Sequence, residues 1–262
     1  MMSKAKKEIP AELIIKEVVQ GVANVWVRGL TPFICHAMSA KARQEFLFPR
    51  GRKTKADKQQ TMKHNPLEEY RCSAYRSRGP GEPTRILMPA TAFKSAICNA
   101  ALETPGIEKT QIGRLVWVEG AYVSLYGAPQ MHMAVVRNSD MKHTPDVRTR
   151  AILPEWACSM TLRFAAPQLN AEQVVTLLGR AGVFIGVGDF RQEKGKGNYG
   201  QFEVCSERDC AEIVKAGGLE AQDAAFAHPT FFDSETEELY SWFEAERKER
   251  GEKRGQKREA AG

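Results

Sequence analysis

No apolar run in the chain approaches the roughly 20 residues of a membrane span, and the first residues, MMSKAKKEIP, are basic with no apolar stretch after them. Neither a spanning helix nor a secretory leader is expected, and the reading is a cytoplasmic protein with no membrane partner. The six cysteines, Cys35, Cys72, Cys98, Cys158, Cys205 and Cys210, form no CxxC pair and no short cluster with histidine. They read as scattered reduced thiols, and neither a zinc site nor any other metal or cofactor is expected. GVGDFRQEKGKG lacks the GK[ST] of a phosphate-binding P-loop and leads into a strand, which excludes that motif. His64, His132, His143 and His228 are isolated, and Glu68–Glu69 and Glu237–Glu238 read as solvated helix faces rather than acid–base pairs. No internal repeat is found.

What remains is a chain of 262 residues, 42% hydrophobic and 27% charged, with a formal net charge of +6. That length buries a real core. So mild a basic excess points to nucleic acid only where the charge is clustered.

Alternation predicts a strand over GVANVWVRGL (21–30), with Val25 and Val27 on one side and Asn24, Trp26 and Arg28 on the other. Ser39 is a good cap for a short helix over 40–47. Residues 48–65 are polar, basic and without period, and predict a mobile loop carrying Arg50, Arg52, Lys53, Lys55, Lys58 and Lys63. PLEEYRCSAYRS reads as a helical turn or a short strand, and GPGEP (79–83) as a turn. Phe93, Ile97, Ala100 and Ala101 stripe a helix that begins near residue 90, with Pro89 at its start. Residues 113–127 read as two strand segments broken at Gly120. Residues 128–155 form a second excursion, a hairpin in which Arg148 and Arg150 alternate on a strand. Along 156–165, Trp156, Cys158, Met160, Leu162 and Phe164 face inward, with Ala157, Ser159, Thr161 and Arg163 outward. Asn170, with Gln173 placed for a capping box, opens a helix over 171–182. YGQFEV is a strand, and a last helix is expected over 234–250.

With the excursions at about 48–85 and 128–155 removed, the order is β, α, β, β, α, β, that of an α+β, ferredoxin-like unit resembling an RNA-recognition module. The domain is expected to span 1–218, with a helical extension and charged tail over 219–262. In that fold the first and third strands are central. Their outward residues then place Trp26, Arg28 and Arg163 on one polar, basic sheet face, the face that RNA-recognition modules offer to RNA.

One joint gathers five glycines with Arg191, Lys194 and Lys196: IGVGDFRQEKGKGNYGQFEV, residues 185–204. Asp189 and Glu193 dilute its positive charge. Glycines let backbone N–H groups approach phosphates, and the cations add charge without base specificity. The pattern resembles the glycine-rich loop of the RAMP superfamily, the RNA-recognition-fold proteins of CRISPR effector complexes. Gly186, Arg191, Gly195, Gly197, Tyr199 and Gly200 carry that resemblance. The insertion after the first strand resembles that of the backbone subunit of those complexes, which stacks into a filament along single-stranded RNA. VRGLTPFICHAMSAKARQEFL looks like phage-encoded proteins of the same fold. The resemblance implies a homo-oligomer or filament.

The reading that follows is sequence-tolerant binding of single-stranded RNA or DNA without catalysis. The residues expected at the interface are Trp26, Arg28, Arg50, Arg52, Lys53, Lys55, Arg148, Arg150, Arg163, Gly186, Arg191, Lys194, Gly195, Lys196, Gly197 and Tyr199. The alternatives are a metal-independent endoribonuclease using His36 as general acid or base, and a structural subunit that binds only protein. Cys35 beside His36 suggests a nucleophile only weakly, because adjacent strand residues point oppositely.

Overall fold

The computed structural model describes residues 17–38, 47, 64–77, 79, 81–137, 145–195 and 197–259. Arg50, Arg52, Lys53, Lys55 and Lys196 lie outside these residues, as does the expected helix over 40–47 apart from residue 47.

The architecture is mixed α+β, as the sequence predicts. Its main sheet has four antiparallel strands in the order β10-β1-β9-β5: β1 is Val19–Gly29, β5 Val116–Val118, β9 Ala157–Ala166 and β10 Phe202–Cys205. β1 and β9 are therefore central neighbours. Their register sets Val25 against Met160 and Val27 against Cys158 on the buried side, and Asn24 against Thr161 and Trp26 against Ser159 on the other. The alternation of the sequence dictates this division, since a one-residue slip would turn every valine outward. Ala157 departs from it: it is buried, bridged to Tyr126 through a pair of backbone hydrogen bonds.

Two long helices close the core. α2 (Ala90–Ala100) buries Phe93, Ile97 and Ala100 of the expected stripe with Ala96 beside them, and Ala101, its last member, is buried just beyond the helix. α4 (Ala171–Arg180) starts at the Asn170 capping box with Gln173, and buries Val174, Leu177 and Leu178. The helix stops at Arg180 rather than 182, passing into a π-helical turn over Ala181–Ile185. Phe93 and Trp156 both meet Phe202 of β10 edge-on, which locks helix to sheet.

Both excursions contribute strands to two smaller sheets. Gln130–Arg137 (β7) and Pro145–Leu153 (β8) are the antiparallel hairpin, joined by β2 (Phe33–Ile34). Tyr75–Arg76 (β3), Ile86–Pro89 (β4) and Tyr122–Ser124 (β6) form a third sheet. PLEEYRC is the helix α1 (Pro66–Cys72), capped by Asn65. The strand expected from residue 113 begins only at 116, because Lys109–Leu115 continues as the helix α3. Gly120, at φ +83°, breaks β5 from β6 as expected.

Beyond β10 the sequence reading missed the helix α5 (Glu207–Ala216), whose Ser206–Asp209 capping box was a legible signal. α5 packs against β1 and β9. α6 (Leu219–Ala227) contributes Gln222, which is fully buried. Its Oε1 accepts from Arg85 N and Ile86 N, and its Nε2 donates to the carbonyls of Leu125, Gly127 and Gly217. One side chain thus satisfies five backbone groups from separate segments. α7 (Ser234–Glu259) is anchored by buried Thr236, whose hydroxyl accepts from Met133 N of β7. Among the described residues no helix is long and apolar enough to cross a membrane.

Candidate nucleic-acid interface

The glycine joint is folded back onto the core rather than swinging free. Val187 N donates to Gly200 O at 2.9 Å, Gly200 N to Pro32 O at 2.8 Å, and Asp189 N to Ile34 O at 3.0 Å. Gly186 and Gly200 have φ of +71° and +72°, a region only glycine enters cheaply. Gly197 needs a different explanation: its φ is not positive. A β-carbon there would run into the carbonyls of Phe190 and Arg191, so close approach alone requires glycine. Gly195 is the reverse case, with a left-handed φ of +70° and open space around its α-carbon.

The ordering takes up one of the loop's cations, Arg191. Arg191 donates from Nε to Glu193 Oε2 at 2.8 Å and pairs with the same oxygen through Nη2, while Nη1 reaches Gly188 O at 3.2 Å. Glu193 also accepts from Asn99 of α2. Beside it runs a groove of 630 Å³ that includes Glu103, Phe184, Gln192, Glu193 and Asn198.

The outward face of the main sheet is also internally neutralised. Arg28 donates to Glu203 at 2.5 and 3.2 Å, which raises its pKa. Arg163 makes a two-pronged contact with Glu119 at 2.9 and 3.0 Å and a third to Gln20 at 2.8 Å. Trp26 is half-buried, 6.2 Å from the Tyr126 ring. Cys205, the cross-strand neighbour of Trp26, lies with its Sγ 3.1 Å from Cys210 Sγ of α5. α5 therefore covers part of this face, and Trp26, Arg28 and Arg163 do not join the glycine loop in one site.

Arg148, Arg150 and Tyr199 do come together there, with residues that sequence reasoning had not assigned to the interface. Arg148 and Arg150 share one face of β8, and Arg150 sits opposite His132 of β7. Arg150 pairs through Nη1 with Asp189 of the loop. The same carboxylate oxygen lies 4.0 Å from His36 Nδ1, on the segment just after β2. Burial, with Arg148 beside it, lowers the Arg150 guanidinium to about 10. Burial and then the charges of Arg150 and Arg148 lower His36, against the Asp189 carboxylate 4.0 Å away. An aromatic row borders these groups: Phe190 to Tyr199 at 6.2 Å, Tyr199 to His132 at 6.4 Å, and His132 to Phe232 at 5.5 Å. Burial of Cys35 pushes its thiol up to about 12, so no thiolate attends His36. The signals for this cluster were present in FICHAM and GDFRQ, but only the pairing of β2, β8 and the loop brings them together.

Among the described residues no group of three or more His, Cys, Asp or Glu side chains converges as metal ligands.

No family model matches the chain, and no curated protein matches it. Among solved structures 31 chains match. One belongs to a cryo-EM structure of the Type III-B Cmr-beta bound to cognate target RNA, at 9% identity and a TM-score of 0.39. The match covers 71% of this chain and 59% of that one, so this chain spans about three fifths of the neighbour's length.

Proposed function

We propose that this protein binds single-stranded nucleic acid, RNA or DNA, across the face formed by β8, the His36 segment and the glycine loop, without cleaving it. The observation that carries the reading is the convergence of Arg148, Arg150 and His36 beside the ring pair Phe190–Tyr199. Cations that follow a backbone, interleaved with rings on which bases stack, are the two components of sequence-tolerant single-strand binding. The glycine loop's part is architectural: it delivers Asp189, Phe190 and Tyr199 to the face, while Arg191 is spent on Glu193. The ferredoxin-like unit remains the fold assignment behind this reading. Alignment of several copies along one strand is part of the proposal, because one such face meets only a few nucleotides.

The test is competition among a labelled single-stranded RNA, the matching DNA strand and their duplexes. Single strands should displace the probe and duplexes should compete poorly. Loss of competition in Arg148→Ala/Arg150→Ala, with the fold intact by circular dichroism, places the contact. Tighter duplex binding would contradict the reading.

One observation favours a second reading. His36 is exposed on the cationic face, its pKa lowered and a carboxylate 4.0 Å away, which suits a general base. Long incubation of RNA with wild type and His36→Ala, without metal, decides it: cleavage lost in the variant would make the protein an endoribonuclease.

A further inference from the structure

We infer that Phe190 is a base-stacking residue, whose ring takes the face of an unpaired nucleobase beside the Arg148–Arg150–His36 cluster. The inference rests on the single-strand reading above and assigns it a contact.

Phe190 carries two unfavourable features at once. Its φ is +51°, the left-handed region, and it is the one non-glycine residue there among the described residues. A side chain in that region crowds the following carbonyl, which is why glycine usually fills it. The residue is also 50% exposed, outside the apolar core. Glycine at this position would remove both costs. An observed outlier that surroundings enforce is a mark of function rather than of folding.

The surroundings do enforce it. Tyr199 N donates to Phe190 O at 3.4 Å, and Gly197 passes so near that carbonyl that no β-carbon fits. On one side Asp189 is held by Ile34 O and by Arg150. On the other, Arg191 is clamped by Glu193 and Gly188 O. The ring is thus held out from a fixed backbone, with Tyr199 tilted beside it at 43°. A rigid, exposed ring loses little entropy on binding. The charge next to it selects the occupant. Arg150 is joined to the preceding residue, and Arg148 is its neighbour on β8, so an anionic chain following these cations carries its bases over the ring. Every base has a π-face, so the contact is tolerant of sequence.

The experiment compares full-length wild type, Phe190→Gly, Phe190→Leu and Phe190→Trp. Thermal unfolding and affinity for fluorescein-labelled oligouridylate and oligothymidylate are measured for each. Phe190→Gly should melt no lower than wild type yet bind roughly 5- to 100-fold more weakly. Phe190→Trp should retain affinity, and Phe190→Leu should lose much of it. If Phe190→Gly binds like wild type, the inference fails while the single-strand reading survives. If Phe190→Gly melts well below wild type, the ring serves packing and the inference fails. If wild type binds neither oligomer, both fall. If Phe190→Gly loses self-association by sedimentation with oligomer affinity unchanged, the ring meets protein and the inference is overturned.

Discussion

Arg150 of β8 and Asp189 of the glycine loop form an ion pair that ties the inserted hairpin to the joint before β10. It does so at the point where His36 also approaches Asp189. Both partners are largely covered, with side-chain exposures of 16% and 31%. The pair therefore has two roles. It orders the loop, and it holds a cation in reserve on a face that already carries Arg148.

Replacing Asp189 by Asn separates these roles. The half-buried guanidinium loses its counter-charge, and stability should fall by about 1–3 kcal/mol. Binding of a short single-stranded oligomer at low salt should tighten, because phosphate no longer competes with the carboxylate. Chemical denaturation and titration of the folded variant measure the two effects. Weaker binding in a folded Asp189→Asn protein would count against the exchange.

His36 and His132 make stability depend on pH. Burial, the largest cause for both, lowers their pKa, with Arg150 acting in the same direction. The unfolded chain, with histidine at about 6.5, then binds more protons than the native state near that pH. Stability is full above pH 6.5 and is lost as pH falls through the lower native pKa values. Melting temperature should drop between pH 7 and pH 5, and less in His36→Asn. In the complex the sign reverses, since phosphate favours the protonated rings, so affinity should rise as pH falls. Affinity that does not change with pH would remove His36 from the interface.

Two glycines of one loop should respond differently to the same change. Gly195→Ala meets open space and bears only the left-handed penalty, about 1–2 kcal/mol. Gly197→Ala has no such penalty but collides with the Phe190 and Arg191 carbonyls. It should be the more destabilising and should displace Phe190, lowering oligomer affinity as well. Denaturant midpoints and affinities of both variants check this ordering.

Gln222→Leu should destabilise the whole molecule. Five backbone groups lose this partner in a fully buried site, and each one left unsatisfied costs about 1–3 kcal/mol. A loss of at least about 3 kcal/mol, or failure to fold, is expected. A variant within about 1 kcal/mol of wild type would show that water reaches the site.

Much of the fold was legible because burial writes itself as period. The valines of β1, the alternation of β9, the α2 stripe and the Asn170 box all carried local signals, and each sits where those signals place it. α5 and Gln222 were not seen: the Ser206–Asp209 capping box that opens one was passed over, and the other is a polar residue whose partners lie far away in sequence. The site was half legible. Arg148 and Arg150 were named from charge and Tyr199 from the loop's resemblance; the fold sets Arg150 opposite His132, whose ring lies 6.4 Å from Tyr199. Trp26, Arg28 and Arg163 were named for their face, but Glu203, Glu119 and α5 answer that face from elsewhere in the chain. Arg191 looked like a phosphate ligand until its neighbour two residues on took it. Sequence shows which charges exist, whereas only folding shows which have already been used.

The measurement that bears most directly on the single-strand reading is affinity against salt for a single-stranded oligomer. It should be made with wild type, Arg148→Ala, Arg150→Ala and Arg191→Ala, using circular dichroism to confirm folding. Wild-type affinity should fall steeply with salt; Arg148→Ala should lower the log–log slope by about 0.7, and Arg150→Ala by less, because Asp189 already pairs with that cation. Arg191→Ala should leave the slope nearly unchanged, because Glu193 already neutralises that cation. Binding indifferent to salt, or a slope that responds to Arg191 and not to Arg148 and Arg150, would contradict the account.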